Sequence, residues 1–123
     1  MARPLKERNV CALPRINRFG PLSPEEREGR VIMTVDEYET LRLIDLEGFN
    51  QKECATQMKV ARTTVQGIYT CARQKAAEAL VHGKVLLIEG GEYGLCDGLA
   101  GCGRGCMRRR RGAHRHREEN QEK

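Results

Sequence analysis

Residues 51–70 read QKECATQMKVARTTVQGIYT, and the spacing of small and apolar side chains in this stretch decides the predicted fold. The pattern suits two short helices joined by a tight turn, with Ala55 small enough for the second helix to cross close by. The residues expected to face each other between the helices are Cys54, Met58, Val65 and Ile68, with Val60 in the corner. The stretch therefore predicts a helix-turn-helix.

Two positions depart from the usual pattern of this motif. Lys59 stands in the turn where glycine is common, so it is expected to adopt a left-handed conformation. Ala61 precedes the second helix, where serine or threonine would cap the exposed N–H groups better.

The outward face of the second helix combines hydrogen-bonding side chains, a small residue and positive charge, and it carries no acid. Its members are Arg62, Thr63, Gln66, Gly67, Thr70 and Arg73. A solvated face would more often mix charges of both signs. A major groove admits one α-helix, so this face predicts an interface with double-stranded DNA. Arg62 is expected to pair with guanine and Gln66 with adenine, while Thr63 meets a thymine methyl or a phosphate.

Further positions are expected to touch the phosphate backbone, which orients a protein without reading sequence. On or after the second helix they are Arg73, Lys75 and Lys84, and on the first helix Thr56 and Gln57. One such motif reads only a few base pairs, so a homodimer is expected, through the long second helix or through residues 84–95.

Composition agrees with an anionic partner. The chain has 123 residues, enough for one domain, and a formal net charge of +5. It contains no apolar run near the ~20 residues that span a bilayer and no signal-peptide pattern at its start, so we expect a cytoplasmic protein without membrane contact. Residues 34–53 hold six acids against two bases, and most of them are expected to lie on a solvated helix surface.

The remaining chain divides into three parts. Residues 1–22 are expected to form an extended N-terminal arm, with a short strand near 10–13. Residues 23–95 form the helix-turn-helix domain, and residues 96–123 a flexible tail rich in Cys, Gly and Arg. Within the domain, Thr34 and Asn50 are placed to cap helices, the first running to about Glu47. Residues 84–95 predict a β-hairpin around Gly90 and Gly91, packed on the core or standing out as a wing. The predicted fold class is mainly α.

The six cysteines fall into two groups. Cys54 and Cys71 occupy helical positions expected in the core. The others, Cys11, Cys96, Cys102 and Cys106, are candidate metal ligands, with His114 or His116 as an alternative to Cys11. Zinc is the expected metal, and an iron–sulfur centre a weaker alternative. The spacing lacks the CxxC of common zinc knuckles, so free thiols in a basic tail are an equal alternative.

Three segments resemble one known family: MARP at the start, TVDEYETLRLIDLEGFNQKECATQM in the middle, and EALVHGKVLLIEGG after the second helix. Together they are similar to uncharacterised prokaryotic proteins predicted to bind DNA, whose helix-turn-helix resembles region 4 of bacterial sigma factors. The resemblance covers about residues 1–100 and implies a mostly helical fold and DNA binding linked to transcription. Ala61, where serine is typical, and the arginine-rich ending depart from it.

Enzymatic activity is not expected. Ser23 is the only serine, and its position before Pro24 is typical of a helix cap. The three histidines lie at a helix end and in the tail, away from a nucleophile. The favoured function is sequence-specific DNA binding by a transcriptional regulator. The alternatives are a metal-binding or redox-sensing protein and a nonspecific nucleic-acid binder driven by the arginine tail.

Overall fold

The computed structural model describes residues 8–95. In this part of the chain, three short strands are followed by three α-helices and then by two more strands. The strands are β1 (Arg8–Val10), β2 (Arg18–Phe19), β3 (Arg30–Met33), β4 (Val85–Ile88) and β5 (Tyr93–Leu95), and the helices are α1 (Val35–Leu41), α2 (Gln51–Met58) and α3 (Arg62–His82). About half of residues 8–95 lie in helical segments, which fits the predicted mainly α class.

The helix caps predicted at Thr34 and Asn50 are both present, and each is a reciprocal capping box. The Thr34 hydroxyl accepts the N–H of Glu37, and the Glu37 carboxylate accepts the N–H of Thr34. Asn50 and Glu53 make the same reciprocal pair at the start of α2. These bonds satisfy N–H groups that a helix start leaves open, so both helices begin where the sequence indicates. Ser23 makes no side-chain cap, and only one 3₁₀ turn, Pro24–Glu26, follows it.

The first helix ends earlier than predicted. After Leu41 the backbone widens into a π turn, Arg42–Leu46, which closes with the N–H of Glu47 donating to the carbonyl of Arg42. Here two consecutive side chains, Arg42 and Leu43, are both buried. Gly48 then adopts a φ of 84° and ends the segment, as expected of a glycine in this position.

The hairpin predicted for residues 84–95 is wrong. β4 lies in the middle of a three-stranded sheet, antiparallel to β2 and parallel to β3, so both of its edges are occupied. β5 instead pairs in parallel with β1. The Gly90–Gly91 link passes over the start of α1, where Val35 donates its N–H to the Gly90 carbonyl. A Cβ at Gly91 would lie 2.7 Å from the Thr34 Cβ, which explains the glycine.

The N-terminal strand belongs to the core. It begins at Arg8, two residues before the predicted position, and Val10 is completely buried. Val10 packs with Met33, Val35, Ala72 and Ile88 in one cluster between the strands, α1 and α3. A second cluster lies between the π turn, α2 and the first turns of α3. Helix α3 contributes to both clusters and thereby joins the two halves of the structure.

The acids of α1 and the π turn are mostly buried, which contradicts the expectation of a solvated surface. Glu39 has 0% exposed area and receives two hydrogen bonds from the Arg42 guanidinium, at 3.0 and 2.8 Å. Arg42 also lies 3.4 Å from a carboxylate oxygen of Glu47, and the N–H of Cys11 donates to Glu39. Burial lowers the pKa of Arg42, but the hydrogen bond and charge of Glu39, together with the charges of Cys11 and Glu47, outweigh burial and raise that pKa. These charges are compensated inside the fold and are not available to a partner.

Candidate nucleic-acid interface

The link between α2 and α3 is three residues long. Lys59 has φ 61° and ψ 44°, the left-handed conformation expected from the sequence. Its N–H and that of Val60 return to carbonyls in the last turn of α2. Ala61 makes no side-chain cap on α3, also as expected. The turn therefore reverses the chain at the cost of one strained residue and one missing cap.

Small and apolar residues hold α2 against α3. Cys54, Met58 and Val65 are completely buried, and Ala55 lies between the helices with little exposure. Val60 packs against this cluster from the turn. Ile68, predicted to face the same residues, is only half-buried and lies outside the cluster, because Leu43 and Phe49 complete it from the π turn and the α2 entry. The inner side of the first turns of α3 is thus packed against α2 and the residues before it.

All six residues predicted to contact DNA are exposed on α3. From Arg62 to Ala77 the helix contains no acidic residue. Within residues 8–95, the side chains of Arg62 and Gln66 make no hydrogen bond or ion pair, whereas the Thr70 hydroxyl donates to the Gln66 carbonyl of its own helix. The first two are therefore available for an external ligand.

Gly67 has no structural requirement in its surroundings. A Cβ at this position would meet no atom within 4 Å, and no unusual φ is recorded for it. Glycine in a helix interior costs roughly 1 kcal/mol of stability relative to alanine. The fold would thus be more stable with a side chain here, while the glycine leaves the helix surface flat and open.

An acidic side chain that sequence reasoning did not connect to α3 lies beside this face. Asp45 of the π turn accepts the Tyr69 hydroxyl at 2.7 Å and lies 3.8 Å from the Arg73 guanidinium. Arg73 also stacks 5.3 Å from the centre of the Tyr69 ring. The hydrogen bond to Asp45, with lesser effects of burial and of the Asp45 charge, raises the pKa of Tyr69. Asp45 and Tyr69 are 24 positions apart, so no local pattern reveals their contact.

Three further residues predicted to contact phosphate have partners within the fold. Lys75 binds the Glu37 carboxylate at 2.8 Å, and Lys84 binds Glu78 at 2.6 Å. Gln57 is buried and donates to the Cys11 sulfur at 3.5 Å. Thr56 is exposed at the end of α2, as a backbone contact requires. Within residues 8–95, the exposed basic side chains of this region that have no ion pair are therefore Arg62 on α3, Lys52 on α2 and Lys59 in the turn.

The cysteines divide differently from the prediction. Cys54 is buried, and burial raises the pKa of its thiol to about 12. Cys71 is exposed, contrary to expectation, because Ala72 beside it takes the core position. Cys11 is buried next to Gln57, while Cys96, Cys102, Cys106, His114 and His116 lie outside the described residues.

Within residues 8–95, no group of three or more His, Cys, Asp or Glu side chains is placed to hold a metal ion. Zinc stays a prediction that metal analysis of the purified chain would test.

Comparison with known proteins shows the family. The profile described as "Protein of unknown function DUF134" matches residues 1–96. The chain belongs to the DUF134 family. Among DUF134 relatives, "UPF0251 protein DSY3441" of Desulfitobacterium hafniense (strain Y51) is 68% identical over 113 residues, 90% of each chain. "UPF0251 protein TTE1845" of Caldanaerobacter subterraneus subsp. tengcongensis is 48% identical over 113 residues, 91% of this chain and 95% of that protein. A "UPF0251 protein" of Halothermothrix orenii is 47% identical over 96 residues, 77% of this chain and 71% of that protein.

No solved structure matches this DUF134 chain. Across residues 8–95, none of the helices has the combination of length and apolar composition that crossing a membrane requires. The names of the relatives assign no activity.

Proposed function

We propose that this chain is a sequence-specific double-stranded DNA-binding protein, acting as a transcriptional regulator, with α2 and α3 as a helix-turn-helix. The first turns of α3 enter the major groove. The observation that carries this proposal is the exposed, acid-free N-terminal half of α3, whose inner side packs against α2. The resemblance of this unit to region 4 of bacterial sigma factors agrees with it.

Specific roles follow from the side chains that face outward. Arg62 lies in the first turn of α3, where recognition helices reach base edges, and it has no competing ion pair within residues 8–95. Its guanidinium suits the O6 and N7 atoms of guanine. Gln66, one helical turn later and likewise unengaged, suits the N6 and N7 atoms of adenine. Thr63 is placed for a thymine methyl or a phosphate.

Gly67 supports a close approach between backbone and ligand. Gly67 follows Gln66 on the exposed face of α3. Nothing in the surrounding fold requires a glycine at this position. A methyl group here would stand between the helix and the floor of the groove. A glycine that lowers helix stability without a packing reason is explained by a partner that needs the space.

Arg73 contributes differently from Arg62. Its contacts with Tyr69 and Asp45 hold it at the edge of the α3 face, and its side chain is 63% exposed. A phosphate would compete with Asp45 for it. We assign Arg73 to backbone positioning, which carries no sequence information.

The test is selection of bound sequences from random duplex DNA by the full chain. The expected result is one enriched motif. Arg62→Ala should relax one base position of that motif, while Arg30→Ala, an exposed arginine on β3, should leave it unchanged. Uniform retention of all sequences would instead indicate a nonspecific binder, and an unaltered motif with Arg62→Ala would remove α3 as the reading element.

A further inference from the structure

A groove on the three-stranded sheet has no role in the proposed DNA contact. It has a volume of about 740 Å³, which lies within the ~300–1,000 Å³ of sites that hold small molecules. Its walls come from β2, β4, the start of β3 and the loop that joins β2 to β3. We call it the arginine groove, and the residues on which its chemistry depends are Arg18, Arg27, Arg30, Val85 and Leu87.

The strand register gives this groove an apolar floor. Successive side chains of a strand point to opposite faces, and Leu86 and Ile88 of β4 pack into the core. Val85 and Leu87 therefore lie on the outer face of the sheet, where both are half-buried and line the groove. Gly20 follows β2 so close to this floor that a Cβ there would lie 3.0 Å from the Val85 Cγ2. The loop after β2 thus begins in contact with the floor and forms one wall.

Two arginines flank the floor from the neighbouring strands. Arg18 of β2 is the register partner of Leu87, and Arg30 of β3 is the register partner of Val85. Residues paired in this way share a face of the sheet, so both arginines belong to the outer face. Within residues 8–95, neither of their side chains makes a hydrogen bond or an ion pair. Both guanidinium groups are therefore available to a ligand above the floor.

Arg27 supplies a third guanidinium from the loop. Its Nε and Nη2 donate to the carbonyls of Pro21 and Leu22 at 3.0 and 3.3 Å, which holds the group at the groove wall. The acids of the same loop are exposed, and in the part of the chain that the structure describes they form no ion pair with these arginines: Glu25, Glu26 and Glu28. None of the described residues that line the groove is acidic. The positive charge of all three arginines is therefore left without a counter-ion.

We propose that the arginine groove binds a small organic phosphate that carries an aromatic ring, a ligand with the size and chemistry of a nucleotide. A phosphate offers several charged oxygens, and planar guanidinium groups match them with paired N–H donors. A single carboxylate carries one charge and leaves most of the three arginines unmatched. The floor of Val85 and Leu87 suits a flat ring, and Phe19, which is 49% exposed, lies at the edge of the groove to contact it.

The groove is separate from the proposed DNA surface. The 21 residues of α3 span about 30 Å, with Arg62 at the first end. β4 begins at Val85, just after the other end of α3 at His82. A ligand on the floor of the groove therefore does not touch the first turns of α3. This proposal stands independently of the proposed function and is tested without DNA.

Isothermal titration calorimetry of the full chain with three probes tests the ligand class. ADP carries charge and ring, pyrophosphate only the charge, and adenosine only the ring. ADP should bind about tenfold more tightly than pyrophosphate, because its ring leaves water on the apolar floor. Adenosine should show no measurable binding. Equal affinity for ADP and pyrophosphate would overturn the role of the ring, and tighter binding of benzoate than of ADP would overturn the role of the phosphate.

Substitution of the two strand arginines tests the site. Arg18→Gln and Arg30→Gln should each weaken ADP binding by about tenfold, as loss of a hydrogen bond to a charged group does. The matched control is Arg15→Gln, which removes the same charge from an exposed residue that does not line the groove. It should bind ADP like wild type, and circular dichroism should be the same for all variants. Equal weakening by Arg15→Gln would mean that ADP responds to net charge alone, which would overturn the site.

Amide chemical shifts of the full chain during titration with ADP separate the groove from other basic segments. The seven arginines between 96 and 117 also attract an anionic probe. The largest shift changes are expected in residues 18–30 and 85–87. Changes confined to 96–123 or to the first turns of α3 would overturn the groove as the binding site, and the absence of any ADP binding would overturn the proposal as a whole.

Discussion

The Glu39–Arg42 pair, where α1 meets the π turn, and Arg62 at the start of α3 lie in opposite environments. Glu39 and Arg42 are buried and bonded to each other, whereas Arg62 is exposed and, within residues 8–95, makes no ion pair. Removing two charges from water costs several kcal/mol per ion, which is offset only by good mutual geometry. The buried pair therefore holds the fold in one arrangement. The exposed arginine contributes little to stability and is available to a ligand.

The same comparison applies within the π turn itself. Arg42 points into the core, and Asp45, three residues later, reaches outward to Tyr69 and Arg73 on α3. The segment is thus linked to the buried network on one side and to the edge of the proposed DNA surface on the other. Four substitutions can separate the residues that stabilise the fold from those proposed to bind DNA.

The largest effect is expected for Arg42→Ala. It leaves the Glu39 carboxylate buried without its cation, which should reduce the free energy of unfolding by about 3–5 kcal/mol. Urea denaturation would measure it. The control is Arg73→Ala, whose side chain is 63% exposed and which should change stability by less than about 0.5 kcal/mol.

A double substitution sharpens this result. Glu39→Gln with Arg42→Met removes both charges at similar volume, so part of the loss should be recovered relative to Arg42→Ala. Equal destabilisation by Arg42→Ala and Arg73→Ala would mean that the buried pair does not hold the fold.

The second effect concerns Arg62→Ala, which should leave the unfolding free energy within about 0.5 kcal/mol of wild type because the side chain is exposed. Its binding to the selected duplex should weaken by about 1–3 kcal/mol, the usual discrimination of a bidentate base contact. Fluorescence anisotropy at constant salt would measure it. If the free energy of unfolding fell by as much as the free energy of binding, Arg62 would stabilise the fold and would not be a specific DNA contact.

The third effect is a change of opposite sign in stability and binding. Gly67→Ala should stabilise α3 by about 1 kcal/mol, since the added Cβ meets no atom of the fold. It should weaken DNA binding if the helix surface must approach the groove floor. Ala61→Ser is the control, because a better cap should also stabilise α3 by about 1 kcal/mol without adding a group at Gly67. Equal DNA affinity for both variants would remove the proposed role of Gly67.

The smallest effect is expected for Asp45→Asn. Losing this carboxylate frees Arg73 for phosphate, so affinity should rise for all sequences by a few tenths of a kcal/mol, as for an exposed ion pair. Binding should also depend more steeply on salt. Anisotropy titrations at several salt concentrations would measure both quantities.

The tyrosine titration gives an independent check of the same cluster. The bond to Asp45 raises the pKa of Tyr69, so its contribution to stability is present below the ordinary tyrosine pKa and is lost as pH rises through the folded value. In Asp45→Asn, one of the chain's three tyrosines should ionise at lower pH than in wild type. An unchanged ultraviolet titration curve would mean that Tyr69 and Asp45 are not bonded in solution.

Features that act within a few residues were predictable from the sequence. The caps at Thr34 and Asn50, the left-handed Lys59 and the exposed face of α3 were all predicted and are confirmed. Each depends on neighbours up to four positions away, through backbone hydrogen bonds or the helical repeat. The π turn was missed because the helical pattern of its apolar residues continues without a break.

Contacts between distant positions were decided by the tertiary structure. The burial of Glu39 depends on Cys11, 28 residues earlier, and the contact of Asp45 with Tyr69 spans 24. The residues of β4 indicated a strand, but whether it pairs with β5 or lies between β2 and β3 depends on which edges remain open. Side-chain and strand patterns specify what can be buried or paired, and only the assembled chain selects the partner. The starts of the helices and the exposed face of α3 thus followed from local chemistry, while the buried charges and the strand order followed from packing.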